Sequence, residues 1–354
     1  MGNTTSHHCQ RTNEARTIFL SKVNEVYRIP SLFYYRDGKL LLAFAEQRKS
    51  QDDASSLMLV MKTGTVNMDN STGVRTVEWS ALRLVQEAYL DGHRPMNPCP
   101  LYEVSSKTLF LFFICVRGVV SECWQRFWGH NKARLYYITT RDNWATFAVG
   151  PGHGVQTKTG RLIVPLYAYM PSNPLYLSNG YAPTLYSDDQ GKKWQFDLRF
   201  IYCNARNEGG YRVEAINDEK GAGFVTHPSA QKLVETGNGC MGSVVSFPAQ
   251  SEKGQSDPSP NPHRWLLYTH PTDKSKRIHL GVYLNKSPRD PNAWSDPWIV
   301  KSGPSGYSDL VYIDDGWFAC LMDCGVQHKT EQIACVVFHY NENKKRHRKV
   351  KNLK

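Results

Sequence analysis

The chain has 354 residues, 40% hydrophobic and 12% aromatic, which suits one large globular domain or two small ones. No apolar run is long enough for a transmembrane helix, and the net charge of +11 leaves anionic partners open. The nine cysteines show no C-x-x-C spacing, and Cys320 and Cys324 have no further His/Cys pair beside them. We therefore expect free thiols in a reducing compartment, without disulfides or a metal site.

The first twenty residues are predicted to form a polar N-terminal segment. Met1-Gly-Asn-Thr-Thr-Ser6 fits the pattern for myristoylation of Gly2, and Cys9 could carry the second acyl chain that firm anchoring needs. An unmodified polar terminus is the alternative. Because no signal peptide opens the chain, we expect peripheral association with the cytoplasmic face of the plasma membrane, or of endosomal or lysosomal membranes.

Short apolar runs separated by Gly, Pro, Asn and Asp predict an all-β domain over residues 21–340, because no amphipathic helix of comparable length accompanies them. The predicted strands are Lys39–Ala45, Ser56–Met61, Thr108–Val116, Arg134–Thr139, Arg161–Tyr169, Trp265–His270, Ile278–Leu284, Leu310–Ile313, Trp317–Met322 and Ile333–Tyr340.

An S-x-D-x-G-x-x-W turn, the Asp box, occupies Ser187–Trp194. Weaker echoes are found at Asn217–Phe224 and Ser287–Trp294. In such a turn Asp and Ser tie down the backbone, Gly takes a conformation that other residues resist, and the aromatic packs inward. Repeated hairpins with this turn are typical of a propeller, so we assign the boxes a structural role. The Ser/Pro-rich stretch Ser251–Pro262 is predicted to be a surface loop.

Residues 341–354 contain the basic run Lys344–Lys351 and are predicted to form a disordered tail. The tail is either solvated only or attracted to anionic lipid headgroups. Nucleic acid is not an expected partner, since no recognition motif accompanies the charge.

Several motifs together resemble the vertebrate exo-sialidases, most closely the plasma-membrane type that prefers gangliosides. They are Tyr27-Arg-Ile-Pro30, Ala43-Phe-Ala-Glu-Gln-Arg48, Asp91–Pro100, Trp144–Gly154, Leu266–Pro271 and Gly306-Tyr-Ser-Asp-Leu310. The resemblance runs from about Tyr27 to His339. It implies a six-bladed β-propeller and a retaining glycoside hydrolase without cofactor. The implied substrates are sialylated glycolipids and glycoproteins.

The resemblance also implies a clamp for the substrate's carboxylate. Sialic acid carries a carboxylate on its anomeric carbon, and arginine offers the planar, bidentate charge that this group needs. Arg28, Arg206 in Tyr202-Cys-Asn-Ala-Arg206 and Arg277 match the three arginines of the family.

The catalytic residues follow from the same resemblance. A carboxylate nucleophile would be repelled by the substrate's carboxylate, and sialidases use tyrosine instead. Tyr307 matches that nucleophile. Counting along the loop after Arg48 places the acid/base at Asp53, with Asp52 held in reserve.

Further positions are carried over from the family. Those around the sugar's side groups are Arg48, Asn97, Glu122, Tyr167 and Tyr169. Asp323 replaces a family glutamate that steadies the first arginine, and its side chain is one methylene shorter.

Two family segments are missing from the chain. The Asp box that should continue after Asp142 is absent, and no Glu-Cys-x-Val-Ala-Glu-Val segment stands between Trp194 and Asn204. The second segment supplies the glutamate that activates the tyrosine, whose unperturbed pKa is about 10. Asp197, Glu208 and Glu214 are the nearest carboxylates, and Glu214 is a poor substitute. The alternatives are therefore a catalytically impaired sialoglycan-binding propeller and, less favoured, a protein-binding scaffold.

Overall fold

The computed structural model describes residues 14–128, 130–139, 152–170, 179–197, 202–207, 210–217, 224–227, 231–250 and 263–342. Several predicted features lie outside this part of the chain: Gly2, Cys9, Glu208, the loop 251–262, the basic run of the tail, and most of the motif at 144–154 and of the box echo at 217–224.

Within the described residues, regular structure consists of twenty-four strands, one short α-helix and three 3-10 turns. The strands are β1 (Arg16–Leu20), β2 (Val26–Tyr35), β3 (Leu40–Arg48), β4 (Ser56–Met68), β5 (Arg75–Trp79), β6 (Arg83–Leu84), β7 (His93–Glu103), β8 (Thr108–Arg117), β9 (Ala133–Thr139), β10 (Val155–Gln156), β11 (Leu162–Pro165), β12 (Ala168–Met170), β13 (Asn179–Tyr181), β14 (Thr184–Ser187), β15 (Gln195–Asp197), β16 (Tyr202–Ala205), β17 (Val213–Asn217), β18 (Phe224–His227), β19 (Ser243–Pro248), β20 (Arg264–Pro271), β21 (Ile278–Asn285), β22 (Trp298–Tyr312), β23 (Trp317–Cys324) and β24 (Gln332–His339). The helix is α1 (Glu122–Trp128), and the 3-10 turns are Asp53–Ser55, Gln86–Ala88 and Pro291–Ala293.

The strands form a β-propeller, which confirms the predicted fold. Its antiparallel blades follow one another along the chain: β2 to β5 with β6, then β7 to β9, then β10, β11, β14 and β15, then β16 to β18. The fifth blade comprises β19 to β21 and the first part of β22, and the sixth comprises the rest of β22, β23, β24 and β1. β12 and β13 form a separate hairpin.

β22 serves two blades because its pairing changes along its length. Residues 298–304 pair with β21 and residues 305–312 pair with β23, with a register shift between Ser305 and Ser308. The ring closes where β1 pairs with β24, so the start of the chain completes the blade formed by its end. Ile18 and Phe19 of β1 are buried there. The propeller therefore begins before the predicted boundary at residue 21.

Two blades have only three described strands each, β7 to β9 and β16 to β18. They adjoin the two places where the sequence lacks family segments. An edge strand that has no partner presents unpaired backbone N–H and C=O groups.

The Asp box is a structural turn, as predicted. Ser187 Oγ accepts a hydrogen bond from Gly191 N at 2.9 Å, and Asp189 Oδ1 accepts one from Lys193 N at 2.8 Å. The Trp194 ring packs edge-on against Phe112 at 5.0 Å between ring centroids. The box therefore joins the third blade to the core of the second.

The predicted strands agree with the structure except at Arg161–Tyr169, which is broken between β11 and β12. Eight cysteines are described, all are unpaired, and six of them are buried. None of the described helices is both long and apolar enough to cross a bilayer.

Candidate active site

Bulges in the strands position the candidate site. Ile29, Asn97 and His279 have positive φ angles of 59°, 53° and 57°, and each lies where its strand shifts register. A β-branched residue such as Ile29 adopts this conformation only when its surroundings enforce it. Bulges redirect neighbouring side chains, and these three adjoin or contain the predicted site residues Arg28, Asn97 and Arg277.

The structure brings the three predicted clamp arginines together around Tyr307. The guanidinium carbons of Arg28 and Arg277 lie 5.7 and 5.2 Å from the centre of the Tyr307 ring. Arg206 Nη1 donates a hydrogen bond of 3.4 Å to Tyr307 Oη. The four side chains come from four different blades, so the fold creates a single cationic site around one phenol.

Backbone carbonyls of the loop at 236–240 hold two of these arginines. Arg206 Nε donates to the Asn238 carbonyl at 3.1 Å, and Arg277 Nη2 donates to the Gly239 carbonyl at 2.7 Å. Gly239 has a φ of +84°, and a Cβ at this position would collide with the Arg206 side chain. Glycine is therefore required where the loop approaches the arginine.

Asp323 steadies Arg28, as the resemblance implies. Arg28 Nε lies 3.0 Å from Asp323 Oδ2, and both side chains are buried. Burial lowers the pKa of Arg28, but Asp323 more than offsets this and raises it. Burial raises the pKa of Asp323 above its usual range, against the opposing attraction of Arg28. The shorter aspartate therefore still reaches the first arginine.

A second polar chain connects four more of the predicted residues. Glu46 Oε2 accepts from Arg48 Nε at 2.7 Å, while Glu46 Oε1 accepts from Asn97 N at 2.7 Å. Tyr167 Oη accepts from Asn97 Nδ2 at 3.3 Å and donates to Glu122 Oε2 at 3.3 Å. The structure thus brings Arg48, Asn97, Tyr167 and Glu122 together. For Tyr169 the structure describes only the backbone, in β12.

The two aspartates of the loop after β3 have different surroundings. Asp52 is exposed and caps the 3-10 turn, with Oδ1 accepting from Ala54 N at 2.9 Å, and this hydrogen bond lowers the pKa of Asp52. Asp53 is half-buried, and its Oδ2 accepts from Glu122 N at 3.0 Å, at the start of α1. Asp53 therefore faces the residues of the site, whereas Asp52 is occupied in its own turn.

The base that should activate Tyr307 is not among the described residues, where Arg206 is the one hydrogen-bond partner found for Tyr307 Oη. Glu214 is buried elsewhere, with Oε1 accepting from Tyr202 Oη and Trp294 Nε1, each at 2.7 Å. Asp197 ends β15, paired with Thr184. Glu214 therefore cannot serve as the base, as the sequence indicated.

Sequence reasoning missed three positioning residues, Glu46, Asp309 and Arg94. Asp309 is fully buried and accepts hydrogen bonds from Leu32 N (2.8 Å) and Ser243 Oγ (2.9 Å). His153 Nδ1 lies 2.9 Å from Asp309 Oδ1, and although burial lowers the pKa of His153, Asp309 raises it overall. Glu46, Arg94 and Asp309 all lie inside the quoted motifs, so motif membership was the available signal.

Arg94 connects the loop that contains Asp53, residues 49–55, to the segment before α1. We call residues 49–55 the acid loop. Its guanidinium donates to the carbonyls of Asp53, Gly118 and Val120, at 2.5, 2.6 and 2.6 Å. Arg94 is buried, and burial lowers its pKa. Arg94 therefore fixes the distance between Asp53 and the residues that lead into α1.

Comparison with known proteins is consistent with this geometry. The family model described as a BNR repeat-like domain matches residues 38–320. Sialidase-3 of Rattus norvegicus is 37% identical over 390 aligned positions, covering 89% of this chain and 91% of the relative. Human Sialidase-3 is 35% identical, covering 89% and 90%, and Sialidase-2 of Cricetulus griseus is 38% identical, covering 88% and 92%.

Solved structures show the same fold. The Hadza microbial sialidase Hz136 superposes with a TM-score of 0.65 at 17% identity, covering 90% of this chain and 66% of the other. Trypanosoma rangeli sialidase in complex with the inhibitor DANA gives a TM-score of 0.61 at 15% identity, covering 97% and 60%. This chain thus spans 66% and 60% of the lengths of these two proteins.

The alignment with the rat relative also locates a difference in length. The alignment has 390 positions and contains 89% of this chain, about 315 residues. At roughly 75 positions, therefore, only the relative has a residue. The missing segments inferred from the sequence are consistent with this difference. With matches over about nine tenths of both chains, the protein belongs to the sialidase family.

Proposed function

We propose that this chain is an exo-α-sialidase that removes terminal sialic acid from gangliosides and other sialylated glycoconjugates. The convergence of Arg28, Arg206 and Arg277 on Tyr307 is the observation that carries the proposal. Three fixed cations around one phenol match a substrate whose carboxylate and reacting carbon are directly bonded. A generic protein-binding scaffold has no use for this arrangement.

The proposed reaction is a double displacement that retains configuration. Tyr307 Oη attacks the anomeric carbon as the bond to the leaving oxygen breaks, and Asp53 gives its proton to that oxygen. Asp53 then takes a proton from water, whose oxygen displaces Tyr307 from the sugar. The Tyr307 proton passes to a base outside the described residues, and we propose Glu208, two residues after Arg206, for this role.

The remaining site residues hold and orient the sugar in this proposal. Asp323 fixes Arg28 against the carboxylate, and Glu46 fixes Arg48 and Asn97. Asn97, Glu122, Tyr167 and Tyr169 contact the hydroxyl and N-acyl groups of the sugar. No step requires a metal or an organic cofactor.

The proposal is tested by the hydrolysis of two substrates by purified protein, namely 4-methylumbelliferyl sialoside and sialyllactose. Asp53→Asn is expected to lower kcat/KM for sialyllactose by about 100-fold or more, the usual contribution of a general acid. The loss should be smaller for the umbelliferyl substrate, whose leaving group needs little protonation.

Asp52→Asn is the matched control, because asparagine can also cap the 3-10 turn. It should change both rates less than about threefold, as expected for a surface position. Equal losses in the two variants would contradict the assignment of the acid to Asp53. Absence of turnover in folded wild-type protein, with sialoside binding retained, would favour the binding-only alternative.

We further propose that the protein associates peripherally with membranes. Beside the possible acylation of Gly2 and Cys9, α1 offers an apolar surface next to the site, because the side chains of Phe127 and Trp128 are 80% and 58% exposed. The exposed cations Arg117, Lys132 and Arg134 flank it. Aromatic side chains with adjacent lysine and arginine are typical of protein surfaces that bind anionic lipid interfaces.

Phe127→Ser with Trp128→Ser is expected to reduce binding to phosphatidylserine-containing vesicles about tenfold or more, because burying each aromatic contributes on the order of 2 kcal/mol. Cosedimentation measures the binding. Val104→Ser is the matched control, since Val104 is also exposed but follows the far end of β7 from Arg94. Unchanged vesicle binding in the double variant would show that α1 does not contact the lipid.

A further inference from the structure

A cation-lined cavity of about 460 Å³ opens beside the clamp. Its lining includes Arg277 and Gln51, together with Lys276, Lys329, His328 and Asn238. The volume lies within the range typical of small-molecule sites. The mechanism above uses Arg277, but it does not use Lys276, His328 or Lys329.

The position of the cavity relates it to the leaving group. Arg277 belongs to the carboxylate clamp, and Gln51 stands two residues before the proposed acid Asp53. In a sialoside the carboxylate and the leaving oxygen are attached to the same carbon. A space bordered by both the clamp and the acid loop is therefore where the leaving sugar would lie.

Lys329 lies half-buried in the wall of this space. A Cβ on Gly306 would approach Lys329 Cδ to 3.2 Å and Asp323 Cβ to 3.3 Å. The lysine stem therefore passes directly beside the residue that precedes Tyr307. Glycine at 306 leaves room for both side chains.

Among the described lining residues of the cavity three are cations and none is a carboxylate. Two carboxylates act on the lysines from nearby: Asp273 Oδ1 accepts a hydrogen bond from Lys276 N at 2.8 Å, and Asp323 partly offsets the lowering of the Lys329 pKa. Within the described parts of the chain, no carboxylate forms an ion pair with Lys276, Arg277 or Lys329. Burial, together with Arg277 and Arg28, lowers the pKa of Lys329. Crowded cations of this kind are relieved by a bound anion. In the proposed function the carboxylate of the terminal sugar occupies the arginines, which leaves the exposed Lys276 and the half-buried Lys329 available to a second anionic group.

We propose that this cavity is a subsite for an anionic leaving sugar, namely a second sialic acid whose carboxylate binds between Lys276 and Lys329. The inference rests on the proposed sialidase function and names a substrate class for it. Oligosialyl chains, in which one sialic acid is linked to the next, would then be preferred over chains with a single sialic acid.

The test compares initial rates for α2,8-linked disialyl-lactose and for α2,3-sialyllactose. Wild-type protein is expected to have the higher kcat/KM for the disialyl substrate. In the Lys276→Gln, Lys329→Gln double variant the ratio of the two values should fall about tenfold or more, since tenfold corresponds to about 1.4 kcal/mol. The rate for the monosialyl substrate should stay within about twofold, as expected when only leaving-group contacts change.

Lys192→Gln is the matched control, because Lys192 is exposed in the Asp-box turn, away from the cavity. An unchanged ratio in the double variant, or an equal loss on both substrates, would overturn the subsite. Failure of the proposed function looks different, because wild-type protein would then hydrolyse neither substrate. In that case calorimetric binding of the two glycans to wild-type and double-variant protein tests the subsite alone.

Discussion

Tyr307→Phe is expected to reduce kcat/KM for any sialoside at least about 1000-fold, with binding of a 2,3-unsaturated sialic acid analogue nearly unchanged. Loss of a nucleophile removes an interaction made only in the transition state, so kcat falls while ground-state affinity remains. The clamp does not depend on the hydroxyl, because Arg28 is held by Asp323 and Arg277 by the Gly239 carbonyl.

Release of 4-methylumbelliferone measures the rate, and calorimetry measures affinity for the analogue. Tyr312→Phe is the matched control, since Tyr312 ends the same strand and its ring packs on Phe247 and Phe318 outside the site. More than a tenth of wild-type activity in Tyr307→Phe would rule out a tyrosine nucleophile at this position. Loss of analogue binding would show instead that the hydroxyl helps to organise the clamp through Arg206.

The sequence predicted which side chains lie together at the candidate site, because short motifs mark them one by one. Arg28 and Tyr307 stand in the motifs Tyr27–Pro30 and Gly306–Leu310, Arg277 stands in Lys276-Arg-Ile-His-Leu-Gly281, and the fold brings all three together. Asp53 was found by counting from flanking strands, and the hydrogen bond from Glu122 N agrees with its choice over Asp52.

Two of the strands nearest the site, β2 and β7, were not among the predicted runs. Both contain prolines, Pro30 in β2 and Pro95, Pro98 and Pro100 in β7, and proline normally argues against a central strand. The structure accommodates Pro30 and Pro98 at the bulges, where the ladder is already interrupted. The same bulges position the residues of the candidate site. Strand propensity therefore failed to predict two of the strands that carry this site.

The buried polar networks could not be predicted from local sequence. Asp309 binds Leu32 N, 277 residues away, and Arg28 pairs with Asp323 at a separation of 295 residues. Such partners meet only after the ring closes. The cavity lysines illustrate the same limit, because Lys276 and Lys329 lie in loops of different blades and meet only in the folded protein.

Removing the buried carboxylate of Glu235 is expected to have the largest effect on stability. Glu235 is fully buried, with Oε2 2.6 Å from Arg212 Nη1, while Oε1 accepts from Thr236 N and Cys240 N, each at 2.9 Å. Glu235→Leu leaves Arg212 buried without its partner and should cost about 3–5 kcal/mol in the free energy of unfolding. Urea denaturation measures this cost.

Acid should remove the same contribution from the wild-type protein. Burial raises the pKa of Glu235, but His270, whose Nε2 lies 3.0 Å from Oε1, and the charge of Arg212 lower it to about 2, from 4.5. A lowered pKa stabilises the folded state above the unfolded value, so the contribution is complete above pH 4.5 and is lost as the pH falls towards 2. The difference in stability between wild type and Glu235→Gln should therefore shrink over this range, and a constant difference would contradict the assignment.

We expect Glu235→Leu to destabilise the protein because it breaks the ion pair with Arg212, not because it disturbs packing. The double variant Arg212→Met, Glu235→Leu distinguishes these two causes. Replacing both ions with apolar groups leaves no unpaired charge, so the double variant should be less destabilised than Glu235→Leu. Equal or greater loss would show that Arg212 matters mainly through its bonds to Asn204 in β16.

Because the loop at 236–240 supplies the carbonyls that hold Arg206 and Arg277, Glu235→Leu should also raise KM for sialosides. In a blade with three described strands, this one ion pair thus supports both the fold and the clamp.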